Sequence, residues 1–329
     1  VIDPTDGGLR ALATFPRYDP NAFVTGQDAA AILADPRQPL LHRPTQGVYT
    51  CGSTMKAITM AAGLESGLFR PESEFSCAGR WTGLPGLTFH CWNPSGHGRL
   101  SLVSGLAQSC NSVFYEVGKR LDEWNADFFP DFVRRAGLGS PPGALPGGEA
   151  TGTVPTPAWK RDTLKEPWTR GDAVNLAIGQ GSLLVSPLQV ASLYAAIANG
   201  GALSGPRLLD RAVLPGGAVD RPLERATRRL PWSGETLAAV RAGLKDVVGA
   251  PHGTAAFVFH GSPLAGLTAG KTGTAESAPG RPTHAWFAGF APFDAPRALV
   301  LVMLEHGGEG SRDAAPIARR VLEAALALD

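Results

Sequence analysis

Leu267-Thr-Ala-Gly-Lys-Thr-Gly-Thr-Ala275, Ala285-Trp-Phe-Ala-Gly-Phe290 and Ala298-Leu-Val-Leu-Val-Met-Leu-Glu305 follow one another near the end of the chain. Each is a short run rich in small, β-branched or aromatic residues. Clusters of Pro, Gly and Asp separate them, which is the pattern of successive antiparallel strands. The next segment, Arg312 to Leu328, repeats apolar residues at helical spacing and predicts an amphipathic helix. At the other end of the chain, Gly8-Leu-Arg-Ala-Leu-Ala-Thr-Phe15 alternates and predicts another strand, closed by a Pro/Tyr/Asp/Pro turn.

Between these ends the periodicity is helical. Gly52-Ser53 opens an apolar stretch from Met55 to Leu68, and Leu100 to Gln108 and Val113 to Leu121 predict two more helices around a break at Ser109–Asn111. Ser186-Pro187 caps a helix to Ala198 that Gly200-Gly201 ends, and Glu235 to Val248 is helical. Residues 70–100 and 205–232 look like irregular excursions, and Gly139 to Trp168 like a long loop. Strands at both ends and helices between them predict an α+β fold. An antiparallel sheet is flanked by the terminal helices and carries an inserted all-helical subdomain. The sheet part is placed at roughly 1–50 and 205–329 and the helical part at roughly 51–204.

With 43% hydrophobic and 18% charged residues, the chain of 329 residues is globular. A net charge of +1 without a basic run speaks against nucleic acid as a partner. No run of about 18 apolar residues spans a membrane, and no signal peptide is present. The start at Val1, almost directly in strand-like sequence, is the pattern of a fragment or processed form whose N-terminal part is missing.

Three short motifs carry the chemistry. Ser53 and Lys56, three residues apart, share one face of a helix, with Ser53 in its first turn where the helix end favours negative charge. A lysine can take a serine proton if burial and a neighbouring cation lower its pKa, and Lys271 is a candidate neighbour. Ser109 and Asn111 flank Cys110. In extended backbone they face one way and Cys110 the other, which offers a hydroxyl for proton relay and an amide for a substrate carbonyl. Lys271, Thr272 and Thr274 lie in a strand and can bind a carboxylate, and Gly273 allows close approach of backbone or ligand. Alone, each has a plain reading: a surface pair, a helix cap, an edge strand. In this order they form a kit for serine acyl transfer.

The motif set resembles that of the transpeptidase domain of penicillin-binding proteins. Gly8-Leu-Arg-Ala-Leu-Ala with Tyr18-Asp-Pro-Asn-Ala-Phe23, Gly179-Gln-Gly-Ser-Leu-Leu-Val-Ser-Pro-Leu-Gln189, and Gly270-Lys-Thr-Gly-Thr-Ala-Glu276 with His284-Ala-Trp-Phe287 extend the likeness over nearly the whole chain. Gly96-His-Gly98 shortly before Ser109-Cys-Asn111-Ser-Val-Phe-Tyr115 is most similar to the elongation-type, monofunctional class B enzymes, like penicillin-binding protein 2. Cys51 departs from the family, which usually has proline there. The resemblance implies a D,D-transpeptidase of peptidoglycan stem peptides, inhibited by β-lactams. Ser53 would be the nucleophile, Lys56 the base, Ser109 the proton relay and Asn111 the amide clamp. Lys271, Thr272 and Thr274 would bind the carboxylate. It further implies an extracytoplasmic domain anchored in the cell membrane and a polytopic membrane glycosyltransferase as partner. A β-lactamase of the same fold, which needs a water-activating group such as Glu149 or Glu166, a β-lactam sensor and a D,D-carboxypeptidase are the alternatives.

Three of the four cysteines and a histidine form Cys77-x13-Cys91-x5-His97-x12-Cys110. Three thiolates and an imidazole make a closed tetrahedral structural zinc site, and some elongation-type enzymes carry a site of similar spacing. A Cys77–Cys91 disulfide is the rival reading. Cys51 is left over and reads as a small buried hydrophobe. For Trp81, Trp92 and Trp286, core packing is the first expectation and the cleft wall the second.

Overall fold

The structure is a computed structural model that describes residues 1–145, 147–217, 219–220 and 227–327. The expected excursion at 205–232 and the helix end at Leu328 fall partly or wholly outside those residues. Gly52–Met55 forms a 3-10 turn that runs directly into α1 (Lys56–Glu65), whose residues from Lys56 to Gly63 are all buried. A helix so apolar on all sides belongs in the centre of a molecule.

Residues 70–100 are more regular than expected. They hold β1 (Glu74–Cys77), β2 (Arg80–Leu84), β3 (Leu87–His90) and β4 (Gly98–Ser101), with β1 antiparallel to β4 and β2 to β3. The inserted segment is therefore helical apart from two small two-stranded sheets. Such short strands carry too few residues for periodicity to show, and long-range pairing such as Cys77 with Gly98 builds them. α2 (Leu102–Ala107) starts at a Ser101/Ser104 capping box, and α3 (Asn111–Trp124) follows after the break. α4 (Arg170–Ala177) and α5 (Pro187–Ala198) have Thr169/Asp172 and Ser186/Gln189 capping boxes, and every residue of α5 is buried.

After α6 (Gly234–Gly249) come β5 (Ala269–Ala275), β6 (His284–Ala291), β7 (Ala298–Leu304) and α7 (Ala315–Ala327). The strands pair antiparallel in the order β7-β6-β5, close to the three predicted runs. Side chains alternate between two cores. Trp286, Ala288, Phe290 and Leu299 face the main core with α5 and α6, whereas Ala285, Phe287 and Val300 pack beneath Ala315, Ala318 and Leu322 of α7. Both faces are covered, so β6 is buried along its whole length.

Gly8–Phe15 does not become a full sheet strand. Ile2 instead pairs with Leu299 on the β7 edge, through N–H···O bonds of 2.9 and 2.8 Å, and bridges to Leu9. Leu9 and Leu12 pack against the main core, Ala11, Ala13 and Phe15 are exposed, and the run from Ala11 to Phe15 lines a groove with Leu301 and Met303. Among the described residues no helix is long and apolar enough to cross a membrane.

Candidate active site

The turn that carries Ser53 is pinned before its helix begins. Gly52 has φ of +53°, and a Cβ there would sit 2.6 Å from the Thr274 carbonyl oxygen. Only glycine tolerates both the left-handed backbone and the contact. The Gly52 N–H donates to Gly179 O at 2.9 Å, which ties the turn to the Gly179-Gln-Gly181 loop as well as to β5. Gly52, Thr54, Met55 and Lys56 are buried and Ser53 is half-buried, at the floor of a cleft of about 1100 Å³.

Lys56 lies one turn on and is fully buried. Its Nζ donates to Ser109 O at 2.7 Å and to Asn111 Oδ1 at 2.6 Å, and meets Ser109 Oγ at 3.3 Å. Lys271, fully buried on β5, reaches the same hydroxyl at 2.9 Å and its neighbour's carbonyl, Thr272 O, at 3.0 Å. Ser109 thus bridges two lysines. Burial lowers Lys56 to about 8, against an opposing pull from the Cys110 and Cys91 sulfurs. Burial and then the charge of Lys56 hold Lys271 well below the ordinary lysine value. Two ammonium groups on one hydroxyl in a dry pocket are unfavourable, so these amines give up their protons more easily than exposed lysines do. Ser109 O and Asn111 Oδ1 occupy two N–H bonds of Lys56, so the neutral amine, which prevails above about pH 8, keeps a lone pair that can accept a proton.

The Ser109–Asn111 segment presents its side chains as the sequence predicts, but by a different backbone. Ser109 is left-handed, with φ of +52°, and Cys110 alone is extended before α3 begins at Asn111. Such a conformation costs a non-glycine residue about 1–3 kcal/mol and persists only where the surroundings impose it. Here the two lysines and the Cys110 N–H, which donates to Gly105 O at 2.9 Å, hold it. The Asn111 amide spends its other end on His90 O, at 3.1 Å. Gly273 has no room for a side chain, because a Cβ would meet Cys51 O at 2.9 Å, so the close partner here is protein backbone. Thr272 and Thr274 line the cleft, and Thr274 Oγ1 accepts from Gly310 N–H at 3.1 Å.

Cys110, fully buried between Ser109 and Asn111, faces a second site behind the first. Cys77 and Cys91 Sγ lie 3.6 and 3.5 Å from His97 Nδ1, Cys91 and Cys110 Sγ are 3.9 Å apart, and all four ligand atoms are within 4.8 Å of one another. Zinc bonds of about 2.3 Å to sulfur and about 2.0 Å to nitrogen give tetrahedral edges of about 3.8 and 3.5 Å, so these residues fit that ion. The hydrogen bond between Cys91 and Cys110 lowers the Cys91 thiol and raises that of Cys110, so the first of the pair moves towards the thiolate a metal needs at the expense of the second. The four cysteines are free, and no Cys77–Cys91 bond is present.

The loop carboxylates weighed as water activators do not line the cleft. Glu149 accepts from Gly143 and Leu145 N–H at 2.5 and 2.9 Å, and Glu166 pairs with Lys160 at 3.6 Å. Trp92 lines the cleft, whereas Trp81 and Trp286 are buried in the core. Sequence reasoning passed over His252-Gly-Thr254, which the structure brings into the cleft beside Thr272. A glycine turn directly after a predicted helix was its only local signal.

Comparison with known proteins bears on the same residues. The family model for the penicillin-binding protein transpeptidase domain matches residues 1–323. The peptidoglycan D,D-transpeptidase MrdA of Salmonella typhimurium is 33% identical over 347 residues, covering 98% of this chain and 54% of that protein. The chain thus spans about half the length of the curated relatives it matches. Penicillin-binding protein 2 of Pseudomonas aeruginosa, solved in complex with WCK 5153, is similar over all of this chain and 70% of its own, with a TM-score of 0.89 at 32% identity. Penicillin-binding protein A of M. tuberculosis, solved as a ceftriaxone acyl-enzyme, is similar with a TM-score of 0.85 at 30% identity, over 99% of this chain and 73% of that one.

Proposed function

The chain belongs to the penicillin-binding protein transpeptidase family, and from there we propose that it is the catalytic part of an elongation-type peptidoglycan D,D-transpeptidase. The observation that carries the reading is the net of Lys56, Ser109, Asn111 and Lys271, which closes around one hydroxyl below Ser53. Ser53 Oγ attacks the carbonyl carbon of the penultimate D-Ala of a stem peptide, and Lys56 takes its proton. The oxyanion lies against the N–H groups of Ser53 and Thr274, the kind of donors whose loss costs about 100- to 1000-fold in rate. As the C–N bond breaks, Ser109 passes a proton to the departing D-Ala amine. Lys271, Thr272 and Thr274 hold its carboxylate, and Asn111 holds the donor's amide. The amine of a second stem peptide then attacks the acyl-enzyme, frees Ser53 and closes the cross-link. A β-lactam presents the same amide and carboxylate but keeps its leaving group tethered, so the adduct stays.

Glu149 and Glu166 lie outside the cleft, and the two glutamates that line it, Glu276 and Glu309, are exposed to solvent; this favours the reading over a β-lactamase, and the clamp residue Asn111 favours it over a sensor. The test is intact mass after incubation with benzylpenicillin. An adduct that persists for hours, and a donor thioester turned over faster when a D-amino acid is added, is the expected result. An adduct that decays as hydrolysed drug accumulates would make the chain a β-lactamase. Hydrolysis of the donor unaffected by any amine would make it a carboxypeptidase.

The same reading takes residues 1–329 as one transpeptidase unit, with its sheet part at roughly 1–50 and 205–329 and its helical part at roughly 51–204. It places that unit outside the membrane, beside a polytopic glycosyltransferase. Cys77, Cys91, His97 and Cys110 would hold zinc as a closed structural site. Such an ion supplies no reaction step; it clamps the 77–97 excursion to the backbone between Ser109 and Asn111. One zinc per chain by elemental analysis is the expected content. Cys91→Ser should lose it and melt about 10 °C lower, since a closed site contributes folding energy directly. Full stability in a zinc-free Cys91→Ser chain would refute the assignment.

A further inference from the structure

The cleft contains a hydroxyl that none of the three motifs supplies. Thr254 Oγ1 lies 2.7 Å from Thr272 Oγ1, and both residues line the cleft with Ser53 and Ser109. The turn that delivers Thr254 is tightly built. It leaves the end of α6, where Gly253 N–H donates to Ala250 O at 2.8 Å and Ala255 N–H to Val247 O at 2.9 Å. A Cβ at Gly253 would lie 2.2 Å from Asp246 O and 2.5 Å from Val247 O, so only glycine lets the chain fold back this closely. The Thr254 N–H reaches Ala107 O at 3.4 Å, at the end of α2 and two residues before Ser109. This turn therefore touches both the serine-relay motif and the β5 motif, which no segment adjacent in sequence joins.

We propose that Thr254 is a positioning residue of the carboxylate subsite, one that orients the Thr272 hydroxyl toward the acidic group of the donor. The proposal rests on the reading of the cleft as an acyl-transfer site that recognises a terminal carboxylate. Each threonine brings one hydroxyl proton. Either oxygen can donate to the other; with Thr254 as donor, the Thr272 proton is left for the carboxylate, on the strand residue next to Lys271, whose Nζ is turned to the Thr272 carbonyl. Without Thr254 the Thr272 hydroxyl rotates freely and its proton has no fixed direction. A hydroxyl proton aimed at a charged acceptor forms one of the stronger hydrogen bonds available to a neutral donor. The effect therefore falls on ligands that carry the carboxylate.

The experiment compares benzylpenicillin with benzylpenicillin methyl ester, which lacks the anionic group, on the wild-type chain, Thr254→Val and Thr254→Ser. Thr254→Val keeps the branched shape without the hydroxyl. Its acylation rate constant with benzylpenicillin should fall about tenfold, with the loss in the concentration dependence rather than in the limiting rate. With the methyl ester it should stay within about twofold of wild type, which also reports that the variant is folded. Thr254→Ser should recover most of the loss. Equal slowing on acid and ester, no slowing on either, or no recovery in Thr254→Ser would overturn the role given to Thr254 and leave the acyl-transfer reading standing. A wild-type chain that benzylpenicillin fails to acylate would overturn the acyl-transfer reading and this proposal together.

Discussion

Ser53→Ala is expected to remove the covalent benzylpenicillin adduct completely, leaving only the mass of the unmodified variant, with melting behaviour like that of the wild type. Two further serines, Ser109 and Ser311, line the cleft, so the prediction is not trivial. Ser109 Oγ is engaged by Lys56 and Lys271 and sits deeper, only 5% exposed. Both lysines compete for its lone pairs, which makes it a relay rather than a nucleophile. Cys51, the nearest thiol in sequence, is buried and pushed up to about 11, so it stays protonated. Ser53 alone combines exposure to the cleft with a position at the head of α1. A digest of the wild-type adduct should carry the added mass on the peptide containing Ser53. Any adduct on Ser53→Ala, or label on a Ser109 peptide, would reassign the nucleophile.

Lys56→Met should slow acylation by about 10³-fold and flatten its pH dependence, because general base catalysis commonly contributes about 10²- to 10⁴-fold. The sign follows from the base role. Lys56 accepts a proton only when neutral, and burial brings its pKa down to about 8. The wild-type acylation rate should therefore rise about tenfold per pH unit below that value and level off above it. Methionine matches the length of the buried stem but leaves Ser109 O and Asn111 Oδ1 without their donor, so a melting curve is measured beside the rate to show that the variant is folded. A rate that falls as pH rises through 8, or a Lys56→Met rate within tenfold of wild type, would hand the proton to another group. Lys271 is the one in place to receive it.

Much of this could be read from residues close together in sequence. The three motifs and the pattern of the final strands are local. A helix puts residues three apart on one face and a strand alternates its faces, whatever surrounds them. The sequence by itself thus determined that Ser53 and Lys56 lie one helical turn apart, that β5 to β7 form a sheet under a terminal helix, and that Cys77, Cys91, His97 and Cys110 belong to one group. It overstated Gly8–Phe15, where an alternating pattern lines a groove instead of entering the sheet. It understated 70–100, where strands of four or five residues leave no readable period.

Tertiary packing decided the rest. Only the fold brings Lys56 and Lys271 to the Ser109 hydroxyl and buries both amines, which lowers the pKa of each. Ser109 adopts a left-handed backbone because contacts from α1 and β5 impose it, not because serine prefers it. Glu149 and Glu166 drop out of the chemistry because their own loop and Lys160 occupy them. Thr254 enters it because a glycine turn after α6 folds back against Ala107 and Thr272. Periodicity in a sequence records which face of an element is apolar. The pKa and partners of a polar side chain depend on what the other elements place against it, and only the folded chain specifies that.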